Sequence, residues 1–431
     1  MQQILPPGRK ALSSFICTSC RRRQFSATAT PTRRREPIPA PPPAGYAQLS
    51  SRRLISVAGP DAAKFLHGLV TRSVVAEPGN GRRLNTPQID AAAAAEAAAP
   101  GFYAAFLNAR GRVLNDVFVY RDTLGLGGGT AVEGEAFVIE VDAGQAEALA
   151  AHMKRYKLRR MVSCRVLHEE ECSVWQVWDG ASASLPALEG MKDGITLPDT
   201  RAPGMGSRVL RLGDGAGYLD LNLEKYDDTA YRIHRYLLGV AEGQAEIPRE
   251  QALPQEANMD AAGGIDFRKG CYVGQELTIR TRHRGVVRKR ILPCLLYPSS
   301  SASASSPSPR KLEYNPWVNG MEEGNEISAE NVPSNLAISR KGRTKGTSAG
   351  TWLGGVGNVG LALCRLHIMT GVELLGETRA KPFNPDEDEF VLKWGAEEEE
   401  EGDRQSVKIK AFVPDWLREK LSEEWNSDSG H

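Results

Sequence analysis

The sequence predicts an α+β fold that ends in a small all-β domain, and two observations lead to this prediction. Segments of alternating apolar residues interleave with segments of helical spacing between residues 46 and 284. From residue 285 the pattern becomes strand-like and shows no strong helical period until the end of the chain. With 431 residues, of which 41% are hydrophobic, the chain is long enough to bury a core in two or three domains.

The first part of the folded region is expected to contain six strands and three helices. The alternating segments predict strands at 53–57, 102–107, 112–120, 136–141, 162–167 and 173–178. The helical spacing predicts helices at 65–74, 143–158 and around 233–240. Residues 76–100 combine Pro78, Gly79 and Asn80 with an alanine tract, which indicates an inserted loop rather than core.

The N-terminal segment has the composition of a targeting signal. Residues 1–36 carry eight basic residues and a single acid, Glu36, with frequent Ser and Thr and no long apolar run. That composition is typical of a mitochondrial transit peptide, and the alternative is a disordered basic tail. A proline-rich spacer follows at 37–43. We therefore expect residues 1–45 to be a transit peptide and spacer, and the mature protein to lie in the mitochondrial matrix.

The C-terminal part is predicted to be a β domain over residues 285–414. It is expected to carry a disordered insert at 297–350, because the Ser/Pro tract at 299–309 is too polar to pack. Residues 415–431 are expected to form a short terminal tail.

Composition also excludes several classes of protein. The formal net charge is +1, and no apolar run approaches the roughly 20 residues that a membrane span needs. Neither a membrane nor a nucleic-acid partner is therefore expected. The seven cysteines are scattered through a long chain, which favours reduced thiols over a disulfide framework.

The segment from Gly264 to Arg290 carries the strongest chemical signal. Cys271 lies between Gly270 and Gly274, and the stretch 268–290 around it holds eight Lys or Arg residues and one acid. Positive neighbours, and a helix starting near Gly274, would favour a thiolate, which is both a nucleophile and the soft ligand of iron–sulfur clusters. Because a cluster needs four ligands, one thiolate would act as a transfer ligand, a ligand shared with a partner or a redox-sensitive nucleophile. The alternative is a small buried hydrophobic residue.

The cations of this segment leave several interpretations open. The arginines that could form bidentate contacts to the carboxylates of a ligand are Arg280, Arg282, Arg284, Arg288 and Arg290. A solvated basic strand, a docking face for an acidic partner and an RNA-binding patch are the alternatives. Aromatic residues are sparse here, which argues against stacking on single-stranded RNA.

Residues 269–276 resemble the K-G-C-Y-x-G-Q-E signature of the YgfZ-like family, the folate-binding relatives of the glycine-cleavage T-protein. Residues 253–260 are similar to the family sequence that precedes the motif, and residues 280–290 are similar to the family sequence that follows it. Weaker similarity is found at 65–71, 108–116 and 360–363.

The resemblance implies a three-part, ring-like aminomethyltransferase fold with a central channel for tetrahydrofolate and a C-terminal β-barrel. Residues 46–284 would then form a folate-binding region of two interleaved α+β subdomains. It also implies a role in maturing [4Fe–4S] proteins such as aconitase and lipoate synthase, together with A-type iron–sulfur carriers. The motif residues that it carries over are Lys269, Gly270, Cys271, Tyr272, Gly274, Gln275 and Glu276. The folate-binding candidates are Arg112, Asp116, Arg280 and Arg282. Cys271 would be the shared ligand of a transient [2Fe–2S] cluster.

One departure from the family pattern bears on chemistry. T-proteins carry a G-G-x-x-D-D stretch, and the comparable run here, residues 111–116, has Asn115 in place of the first aspartate. An amide cannot accept a proton as a carboxylate does, so the sequence favours folate binding without aminomethyl transfer. A tetrahydrofolate-dependent one-carbon transferase remains the first alternative function, and an RNA-binding module the second.

Overall fold

The structure is a computed structural model, and it describes most of the chain after residue 37. The described residues are 38–75, 99–128, 136–180, 188, 191–214, 219, 221–299, 308–318, 327–341, 348–373, 383–385, 387–395 and 405–428. The predicted transit peptide, up to residue 37, and most of the predicted insert at 76–100 lie outside the described residues.

Two five-stranded sheets are interleaved along the chain. The first sheet has the order β10-β1-β7-β9-β8, in which β1 pairs in parallel with β10 and antiparallel with β7. Its strands are β1 (Ala44–Gln48), β7 (Cys172–Asp179), β8 (Gly194–Pro198), β9 (Ser207–Leu212) and β10 (Lys225–Tyr226). The second sheet is antiparallel, with the order β3-β4-β5-β2-β6. Its strands are β2 (Arg52–Ala58), β3 (Gly101–Leu107), β4 (Val113–Arg121), β5 (Ala136–Asp142) and β6 (Ser163–Val166). The chain thus starts in the first sheet, builds the second and returns to the first.

The third part is a closed antiparallel barrel with the order β11-β14-β13-β12-β15-β16, closed by pairing of β16 with β11. Its strands are β11 (Lys289–Tyr297), β12 (Ala337–Arg340), β13 (Gly350–Val356), β14 (Val359–Arg365), β15 (Phe390–Trp394) and β16 (Gln405–Ala411). The predicted α+β class and the C-terminal barrel are therefore confirmed.

Helices pack on the sheets and on the barrel. In the described residues they are α1 (Ala62–His67), α2 (Ala146–Lys157), α3 (Asp228–Leu238), α4 (Gln275–Arg284), α5 (Leu366–Met369) and α6 (Asp415–Asp428). None of them combines the length and the apolar character that crossing a membrane requires. The helix predicted over 65–74 is wrong in extent, because α1 ends at His67 and Val70 instead forms a β-bridge with Phe106.

The predicted disordered insert at 297–350 needs a correction. Strand β12 lies inside it and pairs with both β13 and β15, so it is part of the barrel wall. Val318 and Ile338 are buried at 2% and 0% exposure in the barrel core. The polar tract at 299–309 concealed these apolar positions, which a composition argument weighs only as an average.

One hydrophobic core joins the three parts. It combines Leu54 of β2, Trp178 of β7, Ile233 of α3 and Leu361 of β14. Because a single set of buried side chains connects both sheets to the barrel, the parts are held as one packed body.

Candidate functional site: the motif loop and a buried charge network

Cys271 lies on an irregular loop, residues 264–274, which we call the motif loop and which leads into α4. Cys271 is exposed, while Lys269 and Tyr272 on either side of it are each only 7% exposed. The alternative prediction of a buried, purely structural cysteine is therefore wrong for this position. The loop presents the thiol to solvent and uses its neighbours as anchors.

Lys269 fixes the motif loop to the end of α1. Its ammonium donates to the carbonyls of His67 (2.6 Å), Val70 (2.7 Å) and Arg72 (3.1 Å), and lies 4.8 Å from the centre of the Tyr272 ring. These three carbonyls match the three donors of an ammonium group. The charge of Lys269 thus serves the loop's attachment, and it is not directed only at the neighbouring thiol as the sequence argument assumed.

Backbone hydrogen bonds tie the motif loop to the segment after α1. Val273 N donates to Gly68 O at 3.1 Å, and Asp266 N donates to Thr71 O at 3.0 Å. The hydroxyl of Thr71 donates to Gly264 O at 2.6 Å. Residues 65–71, which share only weak family similarity, therefore form the support of the motif loop.

A close approach of two glycines joins the motif loop to the turn at 108–111. Gly274 has φ +82°, and a Cβ there would lie 2.4 Å from Asn108 O. Gly111 has φ +76°, and a Cβ there would lie 2.8 Å from Leu277 Cβ. Both positions need a left-handed backbone and the absence of a side chain. Two segments that the sequence analysis marked separately are thus packed against each other.

Helix α4 begins at Gln275, as predicted for a helix starting near Gly274. The side chain of Gln275 turns back and accepts from Tyr272 N at 3.2 Å, while Glu276 is exposed in the first turn. Gln275 therefore fastens the loop to the helix. Because 275–284 is helical, the alternative of a basic strand through Arg280 and Arg282 is wrong.

The arginines of the 280–290 run do not form one continuous patch. Arg290 is 1% exposed, and its guanidinium forms a bidentate pair with Asp260 at 2.8 and 2.9 Å. Arg282 packs over the ring of Phe267, with 5.2 Å to its centre, whereas Arg280 is exposed on α4. Because Arg290 is buried and paired, it is not available to bind a ligand carboxylate. Its burial also weakens the RNA-binding alternative, which needs an accessible basic patch.

The other described cysteines differ from Cys271. Burial raises the pKa of the Cys172 thiol to about 12 and also raises the pKa of the half-buried Cys164. Cys294 and Cys364 are fully buried in the barrel with their sulfurs 3.8 Å apart, and burial raises the pKa of Cys294. Among the described residues, Cys271 is thus the exposed thiol. These residues contain no cluster of three His, Cys, Asp or Glu side chains suited to a metal ion.

A second charged site lies where the two sheets meet. This buried charge network consists of Arg52, Asp116, Glu140, Asp199, Arg201, Arg208, Arg235, Glu242 and Glu246. Each of these residues is at most 6% exposed. Charges this deep are tolerated because almost every one faces an opposite charge.

Glu242 is the centre of the network. Its carboxylate accepts from Arg208 (2.5 Å), Arg201 (2.8 Å) and the hydroxyl of Tyr231 (2.9 Å). Burial alone would raise the pKa of Glu242, but Arg208, Arg201, Arg52 and Arg235 outweigh it and hold the pKa well below its ordinary value. Glu242 is therefore a permanent anion that links the two sheets through the arginines.

Asp116 belongs to this network rather than to an open surface. It is 0% exposed, with one oxygen 3.4 Å from Arg52 Nη1 and the other accepting from Gly243 N at 3.1 Å. Burial raises the pKa of Asp116, although Arg52 opposes that shift. Its neighbour Asn115 is also fully buried and accepts from Arg249 Nη1 at 2.8 Å. Neither residue is placed as an accessible base.

A cavity of about 210 Å³ borders the network. Arg52 and Glu242 form part of its wall, together with Arg232 and Asp228 of α3. Burial raises the pKa of Asp228. Arg232 forms no direct ion pair within the described part of the chain, although its charge acts on the neighbouring Asp228. The predicted folate residues Arg112, Asp116, Arg280 and Arg282 are not part of this wall.

Sequence reasoning missed the network for a physical reason. A signal existed at Glu140, a carboxylate flanked by Ile139 and Val141 within the apolar strand β5, because buried charges need partners. No comparable signal marks Arg201, which lies in a loop between β8 and β9. Arg112, which sequence reasoning did select, donates to Gln251 O at 2.7 Å and so braces a turn.

The fold and these two sites define a class: a protein with the aminomethyltransferase fold. A crystal structure of the glycine cleavage system aminomethyltransferase T from Bartonella henselae superimposes with a TM-score of 0.53, covering 86% of each chain at 13% identity. At that identity the likeness establishes the fold alone. No protein-family model matches the chain.

Curated relatives narrow the class to one family. Proteins from Pyricularia oryzae, Chaetomium globosum and Neurospora crassa are 49%, 48% and 42% identical to this chain. The alignments cover 98%, 91% and 95% of this chain and 96%, 87% and 90% of the relatives. All three carry the name iron-sulfur cluster assembly factor IBA57 homolog, mitochondrial. The chain belongs to this IBA57 family, and its location is mitochondrial.

Proposed function

We propose that this protein is an iron–sulfur cluster assembly factor of the mitochondrial matrix and that Cys271 is its ligand for a cluster or for a cluster carrier. The observation that carries the proposal is the motif loop, which exposes one thiol on a backbone fixed by Lys269, Val273 and Gly274. A rigidly held thiol loses little conformational freedom on binding a metal centre. The names of the relatives support the same role.

A cluster at Cys271 would be shared with a partner. Iron–sulfur clusters take four ligands, and one thiolate of this chain leaves the others to the protein that docks here. An A-type carrier bringing a transient [2Fe–2S] cluster is the partner that we propose. The proteins supported downstream would be [4Fe–4S] enzymes such as aconitase and lipoate synthase.

Anaerobic reconstitution tests this proposal. The full chain, mixed with an A-type carrier, iron and sulfide, should develop the visible absorption of a shared cluster, and Cys271→Ser should remove the part that depends on both proteins. Cys164→Ser is the matched control, because Cys164 is a half-buried thiol on strand β6, away from the motif loop. In depleted cells, Cys271→Ser should fail to restore aconitase activity while Cys164→Ser restores it. Full activity of Cys271→Ser in both assays would contradict the ligand role.

We also propose that the protein binds tetrahydrofolate, a carrier of one-carbon units. Asp116, as placed here, does not fit a folate contact, because its carboxylate is fully buried and both oxygens are engaged. The 210 Å³ cavity fits better, since Arg232 can meet a ligand carboxylate and Asp228 and Glu242 can accept from ring N–H groups. No specific observation favours aminomethyl transfer, given the buried amide of Asn115.

Isothermal titration calorimetry of tetrahydrofolate under anaerobic conditions distinguishes the cavity from the residues that the sequence predicted as the folate site. If the cavity binds the ligand, Arg232→Gln should weaken affinity at least about tenfold, because a charge-assisted bond is worth roughly 1.5–3 kcal/mol. Arg280→Gln, on the exposed face of α4, should leave it unchanged. The opposite pattern would place folate at the residues that the sequence predicted, and no binding to the wild-type chain would refute this part of the proposal.

A further inference from the structure

A short segment at the end of α2 combines exposed apolar side chains with a dense run of cations. Residues 154–161, which we call the cationic tip, read Lys-Arg-Tyr-Lys-Leu-Arg-Arg-Met. Leu158 is 89% exposed, Met161 66% and Tyr156 38%. These are three of the six large hydrophobic residues that the described chain exposes, gathered within six positions. Such a concentration marks an interaction surface.

The backbone of the cationic tip is rigidly held. Arg160 N donates to Lys157 O at 2.9 Å, which closes a turn around Leu158. Met161 N donates to the carboxylate of Asp61 at 2.8 Å. Asp61 N in turn contacts Met161 O at 3.4 Å. The exposed leucine is thus presented by a fixed turn.

Leu158 occupies a conformation that disfavours it. Its dihedral angles are φ 47° and ψ −115°, which match the first central position of a type II′ turn, where glycine is preferred. A leucine kept there, with almost its whole side chain in water, gains no burial that would offset the backbone strain. Strain retained at an exposed apolar residue points to a function in binding.

Five basic residues surround Leu158 in the cationic tip. The basic residues are Lys154, Arg155, Lys157, Arg159 and Arg160. None of the five forms an ion pair with another described residue. The carboxylate that contacts the segment, Asp61, is engaged with a backbone N–H. The tip therefore carries a local positive charge although the whole chain is nearly neutral.

We propose that the cationic tip attaches the protein to an anionic phospholipid surface, with Leu158 and Met161 inserted among the acyl chains and the solvent-accessible cations of the tip at the headgroups. The proposal reverses the sequence-based expectation of no membrane contact, and it concerns peripheral binding. A lipid surface suits the tip better than a protein does, because its apolar residues form one narrow projection instead of the roughly 800 Å² that each partner buries in a stable protein interface. Lys and Arg stems can lie along acyl chains while their charges stay at the headgroups.

Vesicle binding by the full chain tests the proposal. Sedimentation with vesicles of phosphatidylcholine mixed with phosphatidylglycerol should exceed sedimentation with pure phosphatidylcholine and should fall as salt is added. Leu158→Gly should reduce binding to the mixed vesicles about tenfold, as expected for the loss of one inserted leucine. Its thermal stability should be unchanged or raised, because glycine accepts this turn position. Lys154→Glu with Lys157→Glu should reduce binding more, since each cation contributes about fivefold.

Controls on other surfaces separate the tip from general charge and hydrophobicity. Leu212→Ser removes a leucine that is 41% exposed on β9, and Arg418→Glu with Lys420→Glu reverses two exposed charges on α6. Both should bind vesicles like the wild type. The basic residues 1–36 are present in every variant, so differences between variants report on the tip alone.

A tryptophan at the tip reports insertion directly. The emission of Leu158→Trp, corrected for the wild-type signal, should shift to the blue when phosphatidylglycerol-containing vesicles are added and stay unchanged with phosphatidylcholine alone. An unshifted emission, or Leu158→Gly binding as well as the wild type, would overturn the proposal. Either result would favour an acidic protein surface as the binding partner of the tip.

Discussion

The motif loop around Cys271 and the buried charge network around Glu242 both gather charged residues, yet they place them in opposite environments. The loop leaves its thiol in solvent and uses Lys269 as an anchor. The network buries its charged residues away from solvent, and these residues are spread along the chain from Arg52 to Glu246. Charge density along the sequence therefore did not show where charge is structurally decisive, since the basic run around Cys271 divides into residues with separate contacts.

The comparison also separates two kinds of site. The network contributes to the joint between the sheets, and removing one member leaves its partners as uncompensated buried charges. The motif loop contributes an exposed group whose replacement should leave the fold intact. The following variants test that separation, from the largest expected effect on stability to the smallest.

Glu242→Gln should be the most destabilising change. It removes the anion that faces Arg201 and Arg208, and the loss of one partner from a buried pair typically costs about 3–5 kcal/mol. Urea unfolding of the variant and the wild type measures the difference. Glu171→Gln is the control, because its pair with Arg165 lies at the surface and should contribute less than about 1 kcal/mol. Equal effects of the two variants would contradict the distinction drawn here.

The same variant should show a specific pH dependence. The folded-state pKa of Glu242 lies well below the ordinary value of 4.5, so its stabilisation is complete above that value and is lost as the pH falls through the folded-state pKa. The difference in unfolding free energy between wild type and Glu242→Gln should therefore be constant at neutral pH and shrink in acid below about pH 4.5. A difference that grew on acidification would contradict the assigned charge state.

Lys269→Met should have an intermediate effect. It keeps the unbranched shape and most of the length of the side chain but removes three hydrogen bonds from an ammonium group, for which we expect a loss of about 2–3 kcal/mol. Hydrogen exchange should also speed up at Val273 and Asp266, whose N–H groups bind the segment after α1. Arg268→Met, at an exposed neighbouring position, should change neither quantity. Unaltered exchange at those two amides in Lys269→Met would show that the ammonium does not hold the loop.

Cys271→Ser should have the smallest effect on stability, within about 0.5 kcal/mol, because exposed positions contribute little. In the native protein a maleimide reagent should label Cys271 first among the cysteines that the structure describes. Cys172, Cys294 and Cys364 should react only on unfolding, since burial blocks access to all three thiols and raises the pKa of Cys172 and Cys294. Mass spectrometry of peptides after partial labelling gives the order. Faster labelling of a barrel cysteine would break the contrast between exposed and buried thiols.

The sequence by itself determined the local features of this protein. Alternation of apolar residues located all five strands of the second sheet, since the side chains of a strand alternate between two faces. In the first sheet it located only β7, and the strands β1, β8, β9 and β10 were missed. The glycines around Cys271 indicated a chain reversal followed by a helix, and α4 does begin at Gln275. A long local motif also pointed to the right family.

Tertiary structure alone decided which charges are buried and what each motif residue contacts. Arg52, Glu140, Arg208 and Glu242 lie far apart in the sequence and meet only because strands of two sheets converge. Arg290 and Lys269 looked like free cations until the fold supplied Asp260 and three carbonyls as their partners. Periodicity and composition describe neighbours along the chain, whereas the energy of a charge depends on its neighbours in space and on its exclusion from water.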